Sequence, residues 1–274
     1  MQDGEVARAL AAATRSAGSA GLRVEDAVVL NNSNKLTARL LPADVLARIA
    51  PADEQVAEFE VDLAERLTRS GAPVAALEPR VHPPIRAVDG FVITFWTYYP
   101  PSEDRLGPQE YADALRRLHL GLREIDLPAP HFTDRVVSAL RLVHDRELTP
   151  QLPEAGRTLL ADTLQTLGRT VADRSTDQLL HGEPHPGNLI STDRGPRFVD
   201  LETCCRGPVE FDLAHAPEDV AEHYPGVDQD LLRNCRILML AMITAWRWDR
   251  GDQFPDGRRL GVEWLAELRA TVGV

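Results

Sequence analysis

The sequence predicts an α+β fold: a small β-rich amino-terminal part followed by a mainly helical remainder. Three observations support this. Short segments with strand patterning crowd the first third of the chain, apolar residues recur at helical spacing through most of the other two thirds, and Pro100, Pro101 and Gly107 punctuate the change. At 274 residues the chain can form one large domain or two lobes. Hydrophobic residues make up 43% and charged residues 26%, an ordinary globular balance that argues against disorder. Aromatic residues are only 5%, so the core is expected to consist mostly of Leu, Val, Ile and Ala.

The first strand candidates are Val28-Val29-Leu30, Leu36-Thr37-Ala38-Arg39-Leu40 and Val45-Leu46-Ala47-Arg48-Ile49, with Asn31-Asn32-Ser33-Asn34-Lys35 as a polar turn between the first two. Asp53 is placed to cap a helix in which Val56, Phe59, Leu63 and Leu67 recur at helical spacing, and Gly71 and Pro73 end it. Phe91-Val92-Ile93-Thr94-Phe95-Trp96 is the strongest strand signal, being rich in β-branched and aromatic side chains. The β-rich part is expected to end near Tyr98. Beyond it, Tyr111, Leu115, Leu118 and Leu122 form one helical stripe, and Leu160, Leu164, Leu167 and Val171 another. The segment Leu179 to Ile190 cannot continue as helix, because Gly182, Pro184, Pro186 and Gly187 interrupt it. Phe198-Val199-Asp200-Leu201 then reads as a short strand. Ile237 to Trp246, flanked by Arg236 and Arg247, is the longest apolar run; it is too short to span a bilayer and reads as a buried helix.

The formal net charge of -12 disfavours a nucleic-acid partner, whose grip would rest on a basic footprint. It is compatible with a cationic small molecule. Cys204, Cys205 and Cys235 are odd in number and two are adjacent, which fits a reducing, cytoplasmic setting. Met1 to Ala20 has early acidic residues and no long apolar run, so no secretory leader is expected. Nothing in the pattern bears on oligomeric state.

The stretch from His181 to Glu202 carries the chemistry. A tight loop bearing a carboxylate, Glu183, and a carboxamide, Asn188, is followed beyond a turn at Asp193-Arg194-Gly195 by a second carboxylate, Asp200. Phosphoryl transfer uses such groups, because its catalysis rests on positioning and on neutralising phosphate charge with divalent metal. Magnesium takes a few hard oxygen ligands and keeps several waters. On this reading Asn188 and Asp200 hold the metal and Glu183 accepts the proton of an acceptor hydroxyl. Strand alternation puts Glu202 on the same face as Asp200 and makes it a third candidate ligand.

His181-Gly182-Glu183-Pro184-His185-Pro186-Gly187-Asn188 resembles the His-Gly-Asp-x-His-x-x-Asn catalytic loop of the aminoglycoside phosphotransferase and choline kinase family. Val199-Asp200-Leu201-Glu202 resembles that family's metal-binding Asp segment. Glu210-Phe211-Asp212-Leu213-Ala214 resembles its downstream motif, in which an Asp braces the catalytic core, and Leu115-Arg116-Arg117-Leu118-His119 the helix after the hinge. The resemblance runs from about Val28 to Ala214. It implies a two-lobed protein-kinase-like fold, residues 1–98 forming the nucleotide-binding lobe and 99–274 the catalytic and acceptor-binding lobe. It further implies ATP or GTP with magnesium in the cleft, and a small-molecule acceptor such as an aminoglycoside-like antibiotic. Arg48 stands at the position of the family's strand lysine and Glu60 at that of its helix acid. Ser33-Asn34 resembles the phosphate-covering turn without its usual glycines, and Phe95 to Tyr98 falls at the adenine-holding hinge. Glu183 replaces the usual Asp. It is one methylene longer, so the loop around it is expected to be set back.

Rival chemistries fit less well. His181-Gly182-Glu183 matches the His-x-Glu start of zinc deaminases, but adjacent Cys204 and Cys205 lack the Cys-x-x-Cys spacing those sites need. His181 and His185 cannot be helical zinc ligands across Gly182, Pro184 and Pro186, and are expected to brace the loop instead. A protein kinase would carry Asp-Phe-Gly and Ala-Pro-Glu segments, which are absent. A non-catalytic nucleotide sensor on a degraded kinase fold is the alternative reading, motivated by Glu183, Arg48 and the glycine-poor turn.

Overall fold

The computed structural model describes residues 1–33, 35–53, 56–102, 106–174 and 176–273. The chain divides into two compact units, Met1–Gly107 with Gly187–Glu202, and Pro108–Pro186 with Thr203–Val274.

The first unit is built on a five-stranded antiparallel sheet. Its strands are β1 (Val24–Asn32), β2 (Leu36–Pro42), β3 (Val45–Pro51), β4 (Ile85–Val88) and β5 (Phe91–Thr97), in the order β1-β2-β3-β5-β4. Burial alternates along β2 and β3: Leu36, Ala38 and Leu40, then Val45, Ala47 and Ile49, are buried, whereas Thr37, Arg39, Leu46 and Arg48 between them are half-buried. Helix α1 (Asp3–Ser19) closes the apolar face. Ala9, Ala12, Ala13 and Ala17 are fully buried there against Leu36, Leu40, Val45, Ile49 and Phe95.

Helix α2 (Ala57–Arg69) buries Val61, Leu63, Ala64 and Leu67 together with the charged Glu60. It starts later than expected. Val56, not Asp53, is its N-cap residue, and no side chain caps it. The remaining piece of this unit is a hairpin of β7 (Leu189–Ile190) and β8 (Arg197–Phe198). Its tight turn is closed by Gly195, whose φ of 89° lies in the left-handed region glycine tolerates. Phe198 N donates to Pro73 O at 2.8 Å and Ala75 N donates to Phe198 O at 2.9 Å, which ties the hairpin to the chain after α2. The strand expected through Leu201 stops at Phe198. Asp200 has a φ of 65°, a left-handed conformation that cannot continue a strand, and Leu201–Thr203 is a 3₁₀ turn.

The second unit is mainly helical: α3 (Pro108–Arg123), α4 (Phe132–His144), α5 (Glu154–Arg174), α6 (Val209–His215), α7 (Gln229–Trp246) and α8 (Gly257–Val272). The expected α3 stripe of Tyr111, Leu115, Leu118 and Leu122 is buried throughout. In α5, Leu160, Leu164 and Val171 are buried and Leu167 is half-buried. Helix α4 opens on a capping box: His131 Nδ1 accepts from Thr133 N at 3.4 Å, and Asp134 accepts from His131 N at 3.1 Å. A two-stranded sheet, β6 (Gln178–Leu180) with β9 (Cys205–Gly207), carries the loop that follows β6. Among the described residues no helix is long and apolar enough to cross a membrane.

Candidate active site

In the first unit a cavity of about 410 Å³ brings together most of the residues singled out there by sequence. Ser33, Arg48, Tyr98, Asn188, Asp200 and Glu202 all line it. Its apolar walls include Leu30, Leu46, Ala75, Ile190 and Phe198. Phe95 is not in this lining. Its place on β5 turns it to the opposite face of the sheet, where it is fully buried in the core. Glu60 also lies outside the lining, buried beneath Arg48 and Lys35 in a small adjoining cavity. Asn34, the second residue of the expected phosphate-covering turn, lies outside the described residues.

Hairpin register explains why Asn188 and Asp200 share this cavity. Leu189 pairs with Phe198, and one step outward Val199 N donates to Asn188 O at 3.0 Å, so both residues sit at the open end of the β7–β8 hairpin. Both offer hard oxygen donors of the kind magnesium prefers, and the residues therefore fit that ion. Glu202 lines the cavity with Asp200, but not by strand alternation, because these residues leave the strand. The 3₁₀ turn instead brings the Glu202 carboxylate to Lys35 Nζ.

The cavity holds a dense charge cluster. Arg48, on the β3 face opposite the core, donates from one guanidinium nitrogen to Glu60 and from the other to Asp200 Oδ1 at 2.7 Å. Lys35 Nζ lies 3.3 Å from Glu60 Oε2 and forms its second ion pair with Glu202. Burial opposes the charge on both cations, but Glu60 and the neighbouring carboxylates outweigh it and hold each above its usual range. Burial pushes the Glu202 carboxyl up, and nearby Asp200 adds to that. Sequence reasoning placed Lys35 only in a polar turn. The available signal was compositional: Lys35 is the only lysine in the chain.

In the second unit the loop after β6 presents Glu183. Gly182 has a φ of 89°, and a Cβ added there would lie 2.0 Å from Thr203 O, so only glycine fits. The fully buried Asp212 of α6 holds this loop from below. It accepts from His181 N at 2.9 Å and from Gly182 N at 2.8 Å, and pairs with His119 Nε2 at 2.9 Å. His119 in turn meets the Tyr224 hydroxyl at 2.8 Å. Burial alone would raise the Asp212 carboxyl, yet these bonds outweigh it and keep it below the usual carboxylate range. Glu183 N donates to His181 Nδ1 at 3.3 Å, and the Tyr111 hydroxyl donates to Pro184 O.

Arg135 of α4 was not anticipated. It donates to Gly182 O at 3.0 Å and forms an ion pair with the Glu183 carboxylate, while its guanidinium lies 5.4 Å from the Trp246 ring centroid. No motif marks it, because one arginine on an ordinary amphipathic helix carries no local signature.

Comparison with known proteins bears on the arrangement as a whole. Residues 30–234 match the model of the phosphotransferase enzyme family. No curated protein matches the chain by sequence. Among solved structures the chain is similar to the amicoumacin kinase hAmiN in complex with AMP-PNP, Ca2+ and Ami, with a TM-score of 0.75 at 12% identity, covering 98% of this chain and 96% of that one. It is similar to the choline kinase LicA from Streptococcus pneumoniae, with a TM-score of 0.67 at 15% identity over 95% of this chain and 97% of that one. A spectinomycin phosphotransferase in complex with ADP and spectinomycin gives a TM-score of 0.60 at 14% identity, over 93% and 95% of the two chains. At these identities the likeness establishes a kinase-like fold.

Proposed function

The chain belongs to the phosphotransferase enzyme family, and from that premise we propose that this small-molecule kinase moves the γ-phosphoryl group of ATP or GTP to a hydroxyl of a small acceptor, with magnesium as its metal. The observation that carries the proposal is the cavity of the first unit, where apolar walls suited to a base meet Lys35, Arg48, Asn188 and Asp200, suited to a metal-bound triphosphate. Similar solved kinases hold AMP-PNP with a divalent cation, or ADP with spectinomycin, which agrees with a nucleotide donor and an acceptor such as an antibiotic or amino alcohol.

Magnesium held by Asn188 and Asp200 would neutralise the phosphate charge during transfer. Arg48 supplies fixed positive charge to the phosphate oxygens, and Glu60 keeps its side chain extended. Ser33 lies beside the phosphates, and the hinge segment ending at Tyr98 meets the base. The acceptor oxygen attacks the γ-phosphorus, the bond from that phosphorus to the bridging oxygen breaks, and the nucleoside diphosphate leaves. Glu183 takes the acceptor's proton. The Asp212 network fixes the loop carrying Glu183, so that its longer side chain is presented from a rigid base.

A mass-spectrometric screen tests this reading. Protein, magnesium and ATP or GTP are incubated with aminoglycosides, amino alcohols and sugars. One acceptor should gain a phosphoryl group with wild type, while Asp200→Ala abolishes transfer and Glu183→Gln folds but loses it. Transfer by Asp200→Ala at the wild-type rate would remove the site assignment. Nucleotide binding with no transfer to any acceptor would favour the sensor reading instead.

A further inference from the structure

We infer that Lys35 is a second phosphate-binding cation of the nucleotide site, and that Glu202 is the residue that positions it. The inference rests on the proposed nucleotide-dependent reaction and deepens it.

Four observations converge. Lys35 is the only lysine among the chain's 30 lysines and arginines, so a side-chain ammonium stands at one place alone. That place is the nucleotide cavity, at the foot of β2 directly after the turn that contains Ser33. Its side chain is only 7% exposed, which is rare for lysine and requires compensating charge. The compensation comes from two directions, Glu60 Oε2 at 3.3 Å and the Glu202 carboxylate, which fix the ammonium beside Arg48 rather than letting it reach for solvent.

The chemistry separates the roles of the two cations. Arg48 already directs one nitrogen to Glu60 and the other to Asp200, and its planar fork suits those two fixed partners. An ammonium is a compact point charge with three donors in no fixed plane, and adapts to phosphate oxygens that shift during transfer. Both cations offer phosphate oxygens charge-assisted donors, which bind more strongly than neutral ones. Glu202, engaged with Lys35, acts on the phosphates through that lysine rather than as a metal ligand.

The lone lysine makes a direct test available. An acyl-phosphate derivative of ATP delivers its acyl group to an amine near the phosphates: the small deprotonated fraction of the amine, its proton lost to solvent, attacks the carbonyl carbon, an amide forms with loss of the second N–H proton, and the nucleotide phosphate departs. The only other aliphatic amine is that of Met1, so peptide mapping distinguishes the two. We expect magnesium-dependent labelling of Lys35 that excess ATP suppresses. Lys35→Met should weaken ATP binding about tenfold or more while leaving adenosine binding unchanged, because only the phosphate tail loses a partner. Glu202→Gln should raise the KM for ATP in the same direction without moving the magnesium concentration needed for half-maximal rate.

Labelling confined to Met1, or Lys35→Met with wild-type preference for ATP over adenosine, overturns the inference while wild-type ATP binding leaves the kinase reading standing. A raised magnesium requirement in Glu202→Gln returns Glu202 to the metal and overturns its positioning role. Failure of wild type to bind any nucleotide removes the functional reading itself.

Discussion

Arg135 grips the Glu183 carboxylate with its guanidinium and donates to the carbonyl of Gly182 from the same group. The fork therefore locks the direction of a side chain that is one methylene longer than the aspartate its motif leads one to expect. Arg135→Ala should reduce kcat by about a hundredfold, the effect of a carboxylate displaced on the order of 1 Å. ATP binding should stay unchanged, and Arg135→Lys should recover only part of the rate, since a single ammonium cannot reproduce the planar fork. Steady-state kinetics alongside ATP titration checks both. At this scale the candidate residues that stand out in the sequence are those in motif-like stretches. Glu183, Asn188 and Asp200 stand in a run whose glycines and prolines announce a loop, and Arg48 and Glu60, which the structure joins, stand at recognisable register positions. Lys35 and Arg135 were missed because their partners, Glu60 and Glu202 for one and Glu183 for the other, are distant in sequence.

At the scale of the element, periodicity read through large apolar residues found β2, β3, β5, α2, α3 and α5. Helix α1 escaped it. The buried stripe of α1 is Ala9, Ala12, Ala13, Ser16 and Ala17, which has helical spacing but little hydrophobic contrast. The small side chains let the helix axis come close to the sheet beneath. Ala13→Leu should therefore overpack that contact and cost about 1–3 kcal/mol, read as a lower urea midpoint with an unchanged slope. An exposed site such as Ala11→Leu should be nearly neutral. The strand after the Asp193–Gly195 turn was also misjudged in extent. Apolar residues continue through Val199 and Leu201, but the left-handed backbone at Asp200 ends the ladder, and no side-chain pattern encodes that dihedral angle.

Over the whole molecule, titration of buried groups sets a stability window. Burial holds the His215 imidazole down at about 3 rather than the usual 6.5, and its Nε2 has no hydrogen-bond partner among the described residues. Between those values the unfolded chain binds a proton that the folded chain refuses, so stability should fall as pH drops from about 6.5 towards 3. The Asp212 carboxyl, held below its usual range, acts in the same direction, because its protonation would break the bonds it accepts. On the alkaline side, burial pushes the Cys205 thiol up to about 12, so stability should decline again above the usual thiol value of 9.0. Urea midpoints from pH 4 to pH 10 check this dome, and His215→Gln should flatten its acidic limb. The two-part α+β character was legible at this scale from strand patterning in the first third, helical spacing beyond it and the proline and glycine break between them. The allegiance of residues 187–202 was not, since it depends on backbone bonds from Phe198 to Pro73 and Ala75 that no local pattern announces. That allegiance also has a consequence for heredity. The chain leaves the first unit at Gly107, returns at Gly187 and departs again after Glu202, so neither unit is a continuous stretch of gene. A single recombination crossover near residue 107 would give a hybrid whose sheet comes from one parent and whose Asn188 and Asp200 come from the other. Any lineage or laboratory that exchanges the second unit must therefore retain the sixteen-residue insert through two further crossovers, or evolve a new fit between the sheet and its borrowed hairpin.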